Sequence, residues 1–347
     1  MTDYLIIGGN LAGIAFAETA LQNNKSFIVV SDESQNSSLV AAGIYNPVIL
    51  KRFSLPQDAH EHLAYMKPFY KNIAGRLGVH FDIEIPIYRR FASVEEQNLW
   101  FEAADKPKLT PFLDTNIKHE KFTGIDAAFG YGRVKETGYI DTNILITSYR
   151  AYLKQSNLLR HETFQYNLLE VFNDHITYKD ITAKHIIFAE GFGIHQNPYF
   201  KKLPLDGTKG ELLIIHAPDL QLPVGVNAGV FILPIGNDLY KVGATYEWDD
   251  KTATPTAAGK AELTEKLDEI ITCPYEVVNH LAGIRPTVKD RKALVGTHPQ
   301  YKNMHLLNGL GTRGVMLGPY MAKELFESIA TGVPVKREIN LNRFKVF

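Results

Sequence analysis

Residues 3–32 read DYLIIGGNLAGIAFAETALQNNKSFIVVSD, and this stretch restricts the fold more than any other. Tyr4–Ile7 is a short apolar run of the kind found in a buried parallel strand. Gly8 and Gly9 break it. Ile14–Leu21 then carries an alanine-rich helical pattern that ends at Asn23 and Asn24, and Phe27–Val30 is a second buried strand. Strand, glycine turn, helix and strand together open a βαβ unit. Its helix N terminus presents free N–H groups above the turn, where a pyrophosphate is the usual occupant.

The dinucleotide fingerprint G-x-G-x-x-G falls here on Gly8, Asn10 and Gly13, so the middle glycine is absent. The first glycine makes the tight turn, the second admits the ligand's phosphates, and the third lets helix and strand pack closely. Asparagine tolerates positive φ better than most side chains, so the turn survives. Its amide either crowds a phosphate or hydrogen-bonds it. A ribose-binding carboxylate is expected just past Val30. That position holds Ser31, followed by Asp32 and Glu33. Taken locally, the stretch fits either a dinucleotide site, without separating NAD from FAD, or an α/β turn with no ligand.

At 347 residues the chain has length for about two domains. A net charge of −1 gives no argument for nucleic acid or an anionic membrane surface. The single cysteine, Cys273, excludes an internal disulfide framework and suits a reducing compartment. No segment approaches the roughly 20 apolar residues of a membrane span. With the first strand beginning by Asp3, a signal peptide is not expected and a cytoplasmic location is.

Further along, the segment NSSLVAAGIYNPV (36–48) is small and weakly periodic, which suits backbone running close to a large flat ligand. Residues 57–79 predict an amphipathic helix interrupted at Pro68. Residues 85–93 predict a strand, Val94–Ala104 a helix, and 130–141 a strand. Asp141 is the expected N-cap of a helix running to about Lys154. Ile186–Ala189 is a buried strand that breaks at Gly191 and Gly193. Two β-rich runs flank a hairpin turn at Gly236-Asn237. Residues 257–271 are helical, and 305–332 repeat the order strand, glycine turn, helix. Residues 1–80, 140–205 and 283–347 are thus expected to form a nucleotide-type α/β domain. Residues 81–139 and 206–282 are expected to form a β-rich domain inserted in pieces.

Several motifs, in this order, resemble the D-amino-acid oxidase and glycine oxidase family of FAD-dependent oxidoreductases. They are the turn Gly8–Gly13, AAGIYNP (41–47), GTKGELL (207–213), LYKVGATYEW (239–248), GIRPTVKDRKALVG (283–296) and NGLGTRGVMLGP (308–319). Asn10, Ser31 and Ala293 depart from the family pattern. The resemblance implies an α/β fold, α+β overall: a Rossmann-like FAD-binding domain with a discontinuous, mixed or antiparallel β-sheet substrate domain.

It also implies FAD as cofactor. Gly8, Gly9, Asn10, Leu11, Ala12 and Gly13 would hold the pyrophosphate, Asp32 or Ser31 the ribose. Ala41, Ala42 and Gly43 would lie beside the flavin, with Gly191 as a further cofactor contact. Gly311, Thr312, Arg313 and Gly314 would meet the flavin's pyrimidine edge at a helix N terminus, favouring the anionic reduced flavin. Arg285 is the expected substrate residue, a planar guanidinium that binds a carboxylate through two hydrogen bonds; its alternative is a structural pair with Asp290. Tyr246, Arg313 and Arg52 are lesser candidates.

The implied reaction is hydride transfer from a carbon of a small amino acid or secondary amine to flavin N5, followed by imine hydrolysis, with dioxygen a candidate oxidant. A modified tRNA base is an alternative substrate, since the oxidase domain of a bifunctional tRNA-modifying enzyme belongs to the same family. A non-catalytic binding protein of the same fold is another reading. His60 and His62 do not have metal-pair spacing, and KDRK (289–292) reads as a solvated charge run.

Overall fold

The computed structural model describes residues 1–56 and 58–347. Seven α-helices are found among them: α1 (Leu11–Gln22), α2 (Ser37–Val40), α3 (Ala59–Leu77), α4 (Val94–Ala104), α5 (Thr142–Gln155), α6 (Ala257–Asp268) and α7 (Gly314–Thr331). The N-terminal strand, Thr2–Ile7, lies at the centre of an eight-stranded sheet. Phe27–Ser31 runs parallel on one side and Ile181–Phe188 on the other. Leu159–His161 and Met304–Asn308 extend the parallel array outward. These strands read as unbroken apolar runs because both sheet faces are covered, and Leu5, Ile6, Ile186 and Ile187 are fully buried.

Ile7 pairs with both Val30 and Phe188. The three central strands therefore end at one edge, and the loops leaving them diverge to either side. A crevice opens at such a switch point in an α/β sheet. α1 begins directly above it and packs along α7. Gly314 and Gly318 face α1 at this seam: a Cβ at the first would make ordinary contact with a Leu11 methyl at 3.4 Å, and at the second with the Ala15 methyl at 3.8 Å. Two helix N termini thereby point at the same crevice.

A second sheet of seven strands runs in the order Glu276–Arg285, Thr208–His216, Leu239–Gly243, Val230–Gly236, Gly225–Ala228, Ile87–Arg90 and Tyr131–Val134. It is antiparallel apart from the pairing of Gly225–Ala228 with Ile87–Arg90. Alternation sorts its faces. Val230, Ile232, Tyr240 and Val242 pack beneath α6, while Phe231 and Leu233 turn toward Ala42 and Ile44. A small sheet of Ile44–Tyr45, Gly138–Ile140 and Asp82–Glu84 completes the strand pairings.

Two elements differ from the sequence expectation. α3 passes through Pro68 without interruption. The lost backbone hydrogen bond is offset by burial of Leu63, Met66, Phe69, Tyr70 and Ile73, and the Tyr70 hydroxyl donates to the Val315 carbonyl at 2.8 Å. The expected start of that helix, Gln57, lies outside the described residues. Residues 130–141 form two strands in different sheets, separated by a turn in which Glu136 takes φ +58°. Asp141 caps α5 as expected, accepting from the N–H groups of Asn143 and Ile144.

Candidate active site

The glycine turn is built by contact. Gly8 has φ +107°, and a Cβ there would lie 2.4 Å from the Ala189 carbonyl oxygen. A Cβ at Gly13 would lie 1.8 Å from the Gly8 oxygen. Neither position admits a side chain. Asn10 needs no positive φ; it is the extended N-cap of α1, with φ −106°. Its amide is engaged at both ends. The oxygen accepts from Arg150 Nη2 at 2.9 Å, and the nitrogen donates to the Gln35 carbonyl. Arg150, on α5, also donates to the Gly9 carbonyl at 3.3 Å and pairs with Glu33 at 2.8 Å. Arg150 and Gln35 were not singled out in the sequence, because each lies far from the turn along the chain.

Two cavities adjoin here. The smaller, about 100 Å³, is bordered by Gly8, Gly9, Asn10, Ser31, Asp32, Tyr166 and Glu190. The larger, about 410 Å³, shares Asn10, Gln35 and Ala189 with it. A groove thus runs from the end of Phe27–Ser31, across the α1 N terminus, toward α7. Burial raises the pKa of Asp32, but hydrogen bonds from Ser34 and Thr163 outweigh it and hold the carboxyl below the usual range. Ser31 is buried.

The larger cavity has two walls. Leu11, Ala12, Ala41, Ala42, Gly43, Gly191, Gly311, Thr312 and Gly314 come from the parallel-sheet side. Leu212, Phe231, Gly243, Tyr246 and Arg285 come from the antiparallel sheet. Gly43 is required by its φ of +72° and by the Ile140 carbonyl, 1.9 Å from a Cβ there. Gly191 and Gly311 also take positive φ, +57° each, but a Cβ on either would meet no protein atom within 4 Å. Their absent side chains leave the cavity open. The Gly311 N–H donates to the Pro286 carbonyl at 3.2 Å, which ties the GIRP segment to the C-terminal glycine turn. Asn308 binds the Gly191 carbonyl at 2.9 Å and links the two glycine loops.

Arg285 ends the edge strand Glu276–Arg285 and borders the larger cavity. Nη1 donates to the carbonyls of Lys209 at 3.3 Å and Thr245 at 3.2 Å. The guanidinium carbon sits 4.6 Å from the Tyr246 ring centre. No carboxylate pairs with it among the described residues. Asp290, the structural alternative, pairs with Arg343 at 2.8 Å. Burial lowers the Arg285 pKa, yet a guanidinium stays charged. The cavity therefore holds a cation whose counter-ion no described residue supplies.

Tyr246 is 56% exposed, at the rim. Arg313 does not border this cavity; its half-buried side chain reaches two smaller ones, beside Asn46 and beside His62 and Tyr320. Arg52 is exposed and borders none of these cavities. Lys241, overlooked in the sequence, is buried two residues before Gly243 on the same sheet face, and burial lowers its pKa. Its signal was a lysine inside the apolar run LYKVG.

The sequence matches the FAD dependent oxidoreductase family model over residues 3–328. It is 26% identical to the glycine oxidase of Bacillus subtilis (strain 168) over 208 residues, 55% of this chain and 56% of that protein. It is 35% identical to the tRNA 5-methylaminomethyl-2-thiouridine biosynthesis bifunctional protein MnmC of Burkholderia mallei (strain SAVP1) over 104 residues, 27% of this chain and 15% of that protein. The matches thus span little more than half of the one relative and a small part of the other. In fold, the chain is similar to the crystal structure of glycine oxidase from Geobacillus kaustophilus, with a TM-score of 0.76, 19% identity, and 100% and 98% of the two chains covered.

Proposed function

This chain belongs to the FAD dependent oxidoreductase family, and on that premise we propose that it oxidises a C–N bond of a small amine that carries a carboxylate, such as an amino acid. The observation that supports this reading is Arg285: a half-buried guanidinium without a carboxylate partner among the described residues, bordering a cavity of about 410 Å³. A carboxylate entering the cavity would find a planar donor with its charge uncompensated.

FAD fits the groove. Two joined cavities of unequal size flank a helix N terminus, and Gly191 and Gly311 leave room a Cβ would fill. Gly8, Gly9, Asn10, Leu11, Ala12 and Gly13 would hold the pyrophosphate, and Ser31 and Asp32 the ribose. Ala41, Ala42, Gly43, Gly191, Gly311, Thr312 and Gly314 would line the flavin. When bound, FAD supplies a two-electron acceptor that no side chain can.

The residues supply orientation. Arg285 fixes the substrate carboxylate, and Tyr246 packs over the guanidinium at the rim. Leu212, Phe231 and Leu233 exclude water from the reacting carbon. Two electrons and a hydrogen leave that carbon while the nitrogen sheds a proton to solvent, so C–N becomes C=N. Water then adds to give a carbonyl compound and an amine. The match to the tRNA-biosynthesis protein favours a second reading, in which the amine is part of a modified tRNA base.

Anaerobic addition of glycine, sarcosine, proline, their decarboxylated counterparts and modified tRNA tests these readings. Loss of flavin absorbance is expected with carboxylate-bearing amines. Bleaching by tRNA alone would select the second reading, and no bleaching by any would leave a binding protein.

A further inference from the structure

The smaller cavity contains a group that neither the fold nor the reaction calls for. Glu190 follows the strand Ile181–Phe188 and borders the cavity beside Gly8 and Gly9. A Cβ on Gly8 would come within 3.5 Å of the Glu190 backbone nitrogen, so the residue is built into the turn. One carboxyl oxygen accepts from the Tyr166 hydroxyl, the other from Asn197 Nδ2 at 2.8 Å. Asn197 is fully buried and is itself pinned by the N–H groups of Tyr199 and Phe200. The carboxyl is thus held in a fixed place at the wall of the groove.

Of the acids around it, Asp32 is the one that makes no ion pair among the described residues. Asp32, Glu33 and Glu162 border the same cavity, together with the Tyr166 phenol. The nearby cations are already taken, Arg150 by Glu33 and Lys179 by Glu162. His195, on the short helix Gly191–Gln196 that follows Glu190, is exposed. Burial lifts the Glu190 pKa to about 7, Asp32 adds to this, and the bonds from Asn197 and Tyr166 only partly oppose it. A pyrophosphate at the adjoining turn brings two negative charges and displaces water. Both effects disfavour a carboxylate and favour the neutral acid.

We propose that Glu190 holds the adenylate half of FAD as a neutral carboxylic acid, so that the protein takes up a proton on binding its cofactor and releases it more readily as the solution becomes alkaline. The linkage follows directly: above the free-protein pKa the proton must be drawn from solution, so affinity falls with pH.

The test uses apoprotein and FAD, with ADP-ribose as a probe that carries the adenylate half but no flavin and no phosphate titrating near neutrality. Kd is read from flavin fluorescence for FAD and from calorimetry for ADP-ribose, between pH 6 and 9. The FAD Kd should rise toward about ten-fold per pH unit above neutrality, with the same slope for ADP-ribose. Glu190→Gln should flatten both profiles. Calorimetry of the unaltered protein at pH 8, in two buffers of different ionisation enthalpy, should show proton uptake, and this holds even if the variant fails to fold. A wild-type profile without slope, a Glu190→Gln profile that keeps it, or no proton uptake would each overturn the proposal. Because neither readout involves amine oxidation, these outcomes are independent of the substrate assignment.

Discussion

The guanidinium of Arg285 lies over Gly210 so closely that a Cβ there would fall 1.9 Å from Nη2. The two residues lie diagonally across neighbouring strands, in the register that pairs Gly210 with Gly283 and Thr208 with Arg285. Glycine at 210 therefore makes the floor on which the cation rests. Gly210→Ala should push Arg285 out of place and weaken binding of a carboxylate-bearing amine by roughly 10- to 100-fold, about 1–3 kcal/mol, with FAD still bound. Titration of the flavin spectrum with substrate measures it; unchanged affinity would remove Arg285 from the substrate site.

Arg285→Lys keeps the charge but loses the planar pair of donors. It should raise KM for carboxylate-bearing amines by on the order of ten-fold or more and leave reactivity toward decarboxylated analogues nearly unchanged. Steady-state kinetics with matched substrate pairs separates the two effects. Equal loss for both would mean that the residue shapes the cavity and does not read the carboxylate.

Asn10→Gly restores the fingerprint but removes the link between the turn, Arg150 and the Gln35 carbonyl. FAD affinity should fall several-fold and stability by about 1 kcal/mol. Arg150→Ala should cost little more when combined with it, since both changes break one network. Thermal unfolding and FAD titration of the two single variants and the double variant provide the check. Tighter FAD binding by Asn10→Gly would show instead that the side chain crowds the phosphates.

Burial lowers the His62 pKa to about 4 and, with the neighbouring His185, brings that of His305 well below its ordinary value. Both are buried as neutral rings, whereas in the unfolded chain they bind protons below about pH 6.5. The unfolded state is then the more protonated, so stability should fall as pH drops from about 6.5 toward 4. His62→Phe should reduce that slope by about one proton, read from unfolding free energies across the range. An unchanged slope would place the titration elsewhere.

How much of this could be read along the chain depends on the range of the contacts involved. The βαβ opening, the Asp141 cap and the glycine-rich C-terminal turn are local: a few neighbouring residues carry their signal, and the structure has them where expected. Pro68 misled because local propensity predicts a break, while the helix is held by an apolar face that packs against distant elements. The 130–141 stretch misled because β propensity cannot tell one strand from two that join different sheets. Arg285 was picked out from its motif, but its lack of a partner was not, because that required knowing that Asp290 pairs with Arg343.

The sequence by itself determined the turns around which the groove forms: glycines at 8 and 13, small residues at 41–43, and a second glycine turn at the head of α7. Tertiary structure alone decided what fills the exceptions. The Asn10 side-chain amide is engaged by protein partners, joining Arg150 to the Gln35 carbonyl. Glu190 and Gly210 were silent in the sequence because a carboxyl or a glycine has no distinctive pattern of its own. Their character comes from what is brought against them, an acidic cavity wall in one case and a guanidinium in the other. Such pairings join residues far apart along the chain, and only strand order and register within each sheet set their distances.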